Sequence, residues 1–311
     1  MAVYTRVPAS ELKAFLERYD VGEAVSFAGI AEGVENSNFL LGTTRGRYIL
    51  TLYEKRVAAA DLPYFLSLMR HAAERGVPTA RPVPDRAGEP LRTLCGRPAA
   101  LIEFLDGAWT PTPTPQQAGA AAAALGRFHR ATADFPLRRR NALGPKGWAE
   151  LAARIGGRAD EIAPGLDATI AGERAMLDRI WPATLPIATT HADLFPDNVL
   201  FLDGAVSGLI DFYFACTELR AYDLAVMLVS WAFDAGDRFL PEHADALIEG
   251  YHRAHGLLPS ELSALPVLAR GACLRFLLTR AWDWLNTPAD ALVTRKDPLS
   301  FARRLAHFAG E

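Results

Sequence analysis

Four residues, His191, Asp193, Asn198 and Asp211, carry the side chains in this chain best suited to chemistry. Three of them fall in the stretch THADLFPDNVLF, residues 190–201, where polar groups interrupt apolar sequence. A buried charge without a partner is costly, so such a cluster belongs either on the surface or in a site that uses its charges. Asn198 and Asp211 bound the run NVLFLDGAVSGLID, with Asp203-Gly204 inside it as a two-residue hairpin signal. If Leu202 pairs with Ala205, strand alternation sets Asn198 opposite Leu209 and makes Asp211 its diagonal neighbour. Diagonal pairs lie about 7–8 Å apart at their Cα atoms, close enough for an amide oxygen and a carboxylate to converge on one hard cation, with magnesium the expected ion. Asp193, in the loop leading to the hairpin, is then placed to orient a hydroxyl beside a metal-bound phosphate and to take its proton. The chemistry expected is phosphoryl transfer to an alcohol. His191 joins Asp193 as a candidate catalytic residue, with bracing of the loop through hydrogen bonds as its expected part. A surface loop with Asx caps is the competing reading, and it leaves the hairpin, the metal pair and their interval unexplained.

The bulk properties fit a small-molecule enzyme. With 311 residues, half of them hydrophobic, the chain can bury a sizeable core in one large domain or two lobes. Its 33 basic and 36 acidic residues, net charge −3, give no reason to expect nucleic acid or a polybasic membrane contact as partner. Cys95, Cys216 and Cys273 have no metal-like spacing and read as reduced packing residues of a cytoplasmic protein. The first residues lack a signal-peptide core, and no uninterrupted apolar run approaches the roughly 18 residues that span a bilayer, so a soluble, unprocessed chain is expected.

The elements that must position the cluster form two groups. Ser10 is a plausible N-cap for a short helix carrying Leu12, Phe15, Leu16 and Tyr19. VSFAGIAE, NSNFLLGT and RYILTLYE then read as strands, with TTRG at 43–46 as the hairpin between the last two. A helix over Leu62 to Arg75 stops at Gly76, and two more short strands follow, the second being AALIEFL. TPTPTP at 110–115 is stiff and extended. Beyond it, Thr114 and Pro115 suit the N-cap and first position of a helix, and further helical patterns cover roughly 147–163, 168–181, 222–234, 241–255, 259–285 and 297–309. The expected fold class is α+β, a bilobal arrangement with a small antiparallel-sheet lobe at 1–107, a hinge at about 102–107, and a larger, mainly helical lobe at 108–311. Clefts between lobes are favoured ligand sites.

HADLFPDN followed by IDF resembles the protein-kinase catalytic loop H-R-D-L-x-x-x-N and its metal-binding D-F-G. Ala192 stands in place of the arginine and Tyr213 in place of the glycine, which points away from protein kinases and toward the small-molecule kinases related to aminoglycoside phosphotransferases and choline kinases. MAVYTRV, GVENSNFLLGTTRGRYILTLYE, HADLFPDNVLF and GLIDFYFACTELRAYDLAV together resemble the bacterial homoserine kinases of that superfamily, over residues 1 to about 285. The resemblance implies a protein-kinase-like fold, ATP and Mg2+ as cofactors, L-homoserine as small-molecule substrate and a place in threonine biosynthesis. It also implies that Asp223, in AYDLA, holds the catalytic loop, where the residue alone reads as a helix N-cap. His129, in GRFHRAT, reads as a helix-packing residue.

For the nucleotide, GIAEGVENSNF at 29–39 is a turn with Gly29 and Gly33 followed by Asn36, Ser37 and Asn38. Backbone N–H groups in such a turn can meet phosphate oxygens, though most two-glycine turns are only hairpins; likeness to the family's phosphate-covering loop favours the ligand role. By the same resemblance, Glu103 and Leu105 contact adenine through backbone groups. Thr51 stands where a kinase carries its strand lysine, as the resemblance leads one to expect in homoserine kinases, and Lys55 or the loop amides are candidates to substitute. Homoserine offers an ammonium and a carboxylate, so an acidic group and an arginine fork are expected in its pocket. LRFLLTRAWDWLN supplies Arg275, Arg280 and Asp283 as candidates, the last two also explicable as a surface i,i+3 pair. Two rival readings stand: a kinase for another small alcohol, such as an aminoglycoside or choline, and a nucleotide-binding pseudokinase.

Overall fold

The computed structural model describes residues 5–30, 36–54, 57–287 and 295–310. The chain divides into two compact units, Met1–Asp106 and Gly107–Glu311.

In the first unit, α1 (Ala9–Leu16) starts from Pro8 as N-cap, so Ser10 lies inside the helix and the expected cap there is corrected. Proline fits such a start because it presets the extended φ and has no N–H to leave unpaired. Antiparallel strands β1 (Ala24–Gly29), β2 (Ser37–Thr43) and β3 (Gly46–Leu52) follow. Thr43 faces Gly46 across the tight turn that the TTRG stretch predicts. The chain continues through α2 (Leu62–Glu74), β4 (Pro82–Val83), β5 (Arg92–Leu94) and β6 (Arg97–Glu103). The sheet order is β1-β2-β3-β6-β4, with β5 also on β6. One core packs α1 against the sheet, with Leu41, Leu50, Leu52 and Leu101 fully buried. Each such leucine contributes about 1.5–3 kcal/mol on leaving water.

The second unit is mainly helical: α3 (Pro115–Ala131), α4 (Pro145–Ile155) and α5 (Leu166–Ile180) precede a strand region. Thr114 caps α3 as expected, accepting the Gln117 N–H at 3.2 Å while the Gln117 side chain accepts the Thr114 N–H at 2.9 Å. Next come β7 (Ile187–Thr190), β8 (Val199–Leu202), β9 (Ala205–Leu209) and β10 (Cys216–Leu219), forming two antiparallel pairs, β8 with β9 and β7 with β10. The chain ends with α6 (Arg220–Trp231), α7 (Pro241–His255), α8 (Pro259–Asn286) and α9 (Leu299–Ala309). Among the described residues, α8 is the one helix long and apolar enough to cross a membrane by length and composition. It is a core helix of this unit, packed on α4, α6 and α9 with most of its apolar stretch buried. The three cysteines are unpaired thiols, two of them buried. An α+β fold with a small antiparallel sheet and a predominantly helical remainder is therefore observed.

Candidate active site

The loop between β7 and β8 is built around a backbone conformation that most side chains avoid. Ala192 has φ +63°, a left-handed value that costs a non-glycine residue about 1–2 kcal/mol. What holds it there is a carboxylate from α6. Asp223 Oδ2 accepts the His191 N–H and Asp223 Oδ1 accepts the Ala192 N–H, both at 2.7 Å. Asp223 is the fourth residue of α6, whose N-cap is Leu219, so the N-cap reading is set aside in favour of loop anchoring. Its remaining capacity goes to His129, whose Nε2 lies 2.9 Å from Oδ2 and whose Nδ1 lies 2.8 Å from the Tyr251 hydroxyl. His129 is thus a member of a buried polar chain rather than a packing residue. Burial alone drives the Asp223 carboxyl upward, but the His129 hydrogen bond, the two nearby imidazoles and the His191 N–H outweigh it and hold the group ionised below its ordinary range.

His191 is fully buried and braces the loop from within. Its Nε2 lies 2.9 Å from the Ile210 carbonyl and its Nδ1 accepts the Asp193 N–H at 3.3 Å, which selects the Nε2–H tautomer. Burial pushes its pKa down, Asp223 and the Ile210 carbonyl opposing, so the ring is neutral. Phe212 packs its ring 4.6 Å from the imidazole.

Asp193 is the partly open member of the group, its side chain 18% exposed. Desolvation raises its carboxyl above the usual range; the Arg275 and Lys296 charges oppose this, while Asp197 and Asp223 reinforce it. Its carbonyl accepts the Phe195 N–H at 2.9 Å and the Asn198 side-chain amide at 2.7 Å. Because Asn198 Nδ2 is committed to that bond, Oδ1 is the atom it can offer a cation. Asn198 ends a 3-10 turn, Pro196–Asn198.

The hairpin differs from its expected register by one residue. Asp203 (φ +50°) and Gly204 (φ +81°) form the left-handed turn that Asp-Gly favours, and Leu202 faces Ala205 as expected. Phe201 faces Val206, but Leu200 faces Gly208 and Val199 faces Leu209, so Ser207 is a bulge. Asn198 therefore lies opposite Ile210 rather than Leu209, as the bond from Ile210 N–H to Asn198 O at 3.1 Å shows. Asp211 is the next residue, with φ +64° and ψ +62°. Both backbone groups of Ile210 are held, one by Asn198 and one by His191, and that fixes where Asp211 begins. An amide oxygen and a carboxylate are hard donors suited to magnesium. Among the described residues there is no cluster of three or more His, Cys, Asp or Glu that could hold a metal by itself. A two-residue site completed by substrate phosphates does not need one.

Of the expected acceptor contacts, Arg275 lies against the loop between β7 and β8. Its Nη1 donates to the Ala192 carbonyl and its Nη2 lies 3.3 Å from Asp193 Oδ1. Arg280 donates to the Asp297 carbonyl at 3.0 Å and covers the Phe301 ring at 4.5 Å, its pKa lowered to about 10 by burial. Asp283 follows it on α8. The residues that sequence reasoning underweighted are His129 and Tyr251; an isolated helical histidine carries no local sign of a partner 94 residues away.

In the first unit, Gly33 and Lys55 lie outside the described residues. Gly29 ends β1 opposite Phe39. The side chains after it serve the fold: Asn36 Oδ1 accepts the Glu54 N–H at 3.4 Å, and the Ser37 hydroxyl donates to Glu54 Oε1 at 2.8 Å. Asn38 Oδ1 accepts the Thr51 hydroxyl at 2.8 Å, so the residue at the lysine position is consumed by a neighbouring strand. At the end of β6, Glu103 donates its N–H to the Arg81 carbonyl at 2.9 Å, and Leu105 follows in irregular, partly exposed chain.

Comparison with known proteins identifies the family and the fold. The phosphotransferase enzyme family matches residues 26–257. The chain is 54% identical over 306 residues to a homoserine kinase of Rhodopseudomonas palustris, covering 98% of this chain and 94% of that one. Among solved structures, a spectinomycin phosphotransferase in complex with ADP and spectinomycin superposes with a TM-score of 0.73 at 13% identity, covering 98% of both chains. An amicoumacin kinase in complex with AMP-PNP, Ca2+ and Ami gives 0.72 at 16% identity, covering 96% of this chain and 91% of that one. At those identities the structures speak for the fold alone.

Proposed function

The chain belongs to the phosphotransferase enzyme family, and we propose that it moves the γ-phosphoryl group of ATP to the side-chain hydroxyl of L-homoserine, giving O-phospho-L-homoserine for threonine biosynthesis. One observation supports the chemistry above others: the bond from Asn198 Nδ2 to Asp193 O ties a carboxylate base and an amide metal ligand into one loop. The 54% identity across nearly the whole chain to a homoserine kinase selects the acceptor.

In this reading Asp193 accepts a hydrogen bond from the homoserine hydroxyl and holds its oxygen in line with the γ-phosphorus. As the new O–P bond forms and the bond to the bridging oxygen of ADP breaks, the hydroxyl proton passes to the Asp193 carboxylate. Its raised pKa suits a group that must take a proton and then release it to water. Asn198 Oδ1 and the Asp211 carboxylate are the groups to hold Mg2+, which when bound neutralises charge on the phosphates. His191 keeps Asp193 and Ile210 in place and transfers no proton, since both its ring nitrogens are occupied. In the first unit, the Glu103 carbonyl and the Leu105 N–H are the groups for the adenine edge, and backbone amides after Gly29, that of Asn36 among them, are for the phosphates. The side chains of Asn36, Ser37 and Asn38 are engaged elsewhere, and because Ser37 and Asn38 lie in β2 between two strands, the Asn36 amide is the one of the three outside the ladder.

The test is ADP release measured over a panel of hydroxyl compounds with MgATP. Homoserine is expected to give the highest kcat/KM by at least about a hundredfold. Turnover of choline or an aminoglycoside without homoserine turnover would replace the acceptor, and no turnover of any acceptor would leave a nucleotide-binding protein.

A further inference from the structure

We propose that Arg275 is a positioning residue of the transfer step, clamping the left-handed loop and one oxygen of Asp193 so that the other oxygen faces the acceptor hydroxyl. This rests on the phosphotransfer reading of Asp193 given above.

Three observations carry it. Ala192, between His191 and Asp193, has only a methyl group and so brings nothing that could hold its own carbonyl. With φ +63° it turns that carbonyl to Arg275 Nη1 while its N–H goes to Asp223. The peptide groups flanking Ala192 are thus gripped from two helices, α6 by an acid and α8 by a base. Second, the same guanidinium reaches Asp193 Oδ1 at 3.3 Å. With one nitrogen on the Ala192 carbonyl and the other on Asp193 Oδ1, the planar fork ties the carboxylate to the loop backbone beside it, two contacts that the single ammonium of a lysine does not hold in the same plane. Third, Arg275 is only 2% exposed, with the Phe276 ring 4.4 Å and the Phe214 ring 5.2 Å from its Cζ. To serve as a fork for a substrate carboxylate it would have to abandon the Ala192 carbonyl and leave that aromatic cover. Its role is carried through Asp193, 82 residues away in sequence.

The experiment uses the full chain with MgATP and homoserine, comparing wild type with Arg275→Lys and Arg275→Ala. Arg275→Lys keeps the charge and loses the fork; its kcat is expected to fall at least about tenfold while KM for ATP and for homoserine stay within about threefold. Arg275→Ala is expected to fall further and to regain several-fold activity in millimolar guanidinium, which a folding defect would not do. Unchanged kcat in Arg275→Lys overturns the proposal. A tenfold rise in homoserine KM at constant kcat also overturns it, assigning Arg275 to the substrate instead. If Arg275→Ala does not fold, the kcat of Arg275→Lys decides. Wild type is run beside them: its failure on homoserine counts against the acceptor, and the variants are then read with the acceptor that it does turn over.

Discussion

The Ala192 N–H meets Asp223 Oδ1 at 2.7 Å, so a buried carboxylate on α6 stabilises the strained residue immediately before the proposed base. That carboxylate also accepts the His191 N–H and faces His129. Three groups depend on one side chain.

Replacing Asp223 by alanine is therefore expected to be severe. It leaves two backbone N–H groups buried without acceptors and strands His129, a loss of about 3–5 kcal/mol. Thermal melting and kcat should both fall. A variant with an unchanged melting temperature would show that the loop holds its left-handed residue without α6.

Protonation gives a second expectation. Burial holds His191 neutral with its pKa below the ordinary value, although Asp223 and the Ile210 carbonyl favour the charged form; Arg275 and His129 oppose it. His255, whose Nδ1 faces Arg220 Nη1 at 3.0 Å, is depressed in the same direction, burial again first. A group with a lowered folded pKa binds fewer protons folded than unfolded once pH drops below about 6.5, so stability falls as the solution is acidified. Each fully buried site contributes up to about 1.4 kcal/mol per pH unit in that window. Melting temperatures at pH 7.5 and 5.5 should diverge for wild type and less for His191→Asn. Parallel losses would remove His191 from the account.

Gly107 tests how the start of the second unit seats on the hairpin. Its φ is +130°, and an added Cβ would meet Ser207 Oγ at 2.3 Å and the Phe201 carbonyl at 2.9 Å. Ala108 exchanges two backbone hydrogen bonds with Phe201, 3.0 and 2.9 Å, so the segment cannot simply move away. Gly107→Ala should cost about 1–3 kcal/mol in chemical denaturation. A neutral result would mean that the contact gives way freely.

Much of this arrangement is legible from residue types, and its limits have physical causes. Asp203-Gly204 announces a left-handed two-residue turn because few other pairs tolerate positive φ twice. The bulge at Ser207 is invisible to alternation, and it moved Asn198 from opposite Leu209 to opposite Ile210. Thr114, Pro115 and Gln117 signal a helix start through short-range bonds alone. The duties of Asp223, His129 and Arg275 depend on partners 31 to 94 residues distant, where periodicity carries no information. Ser37 and Asn38 had the polarity of phosphate contacts, yet strand pairing and Glu54 took their side chains.

Metal dependence supplies a further check. Asp211→Asn keeps the volume and removes the charge of one proposed ligand. The magnesium concentration giving half-maximal rate should rise at least about tenfold, and calorimetric ATP binding should lose most of its response to magnesium. Unaltered magnesium dependence in both measurements would place the metal elsewhere.

The most direct measurement is the turnover of Asp193→Ala on homoserine beside its affinity for MgATP. A drop in kcat of at least about a hundredfold, with ATP affinity within about threefold of wild type, is the result expected of a base that acts on the acceptor hydroxyl. Turnover equal to wild type would contradict it.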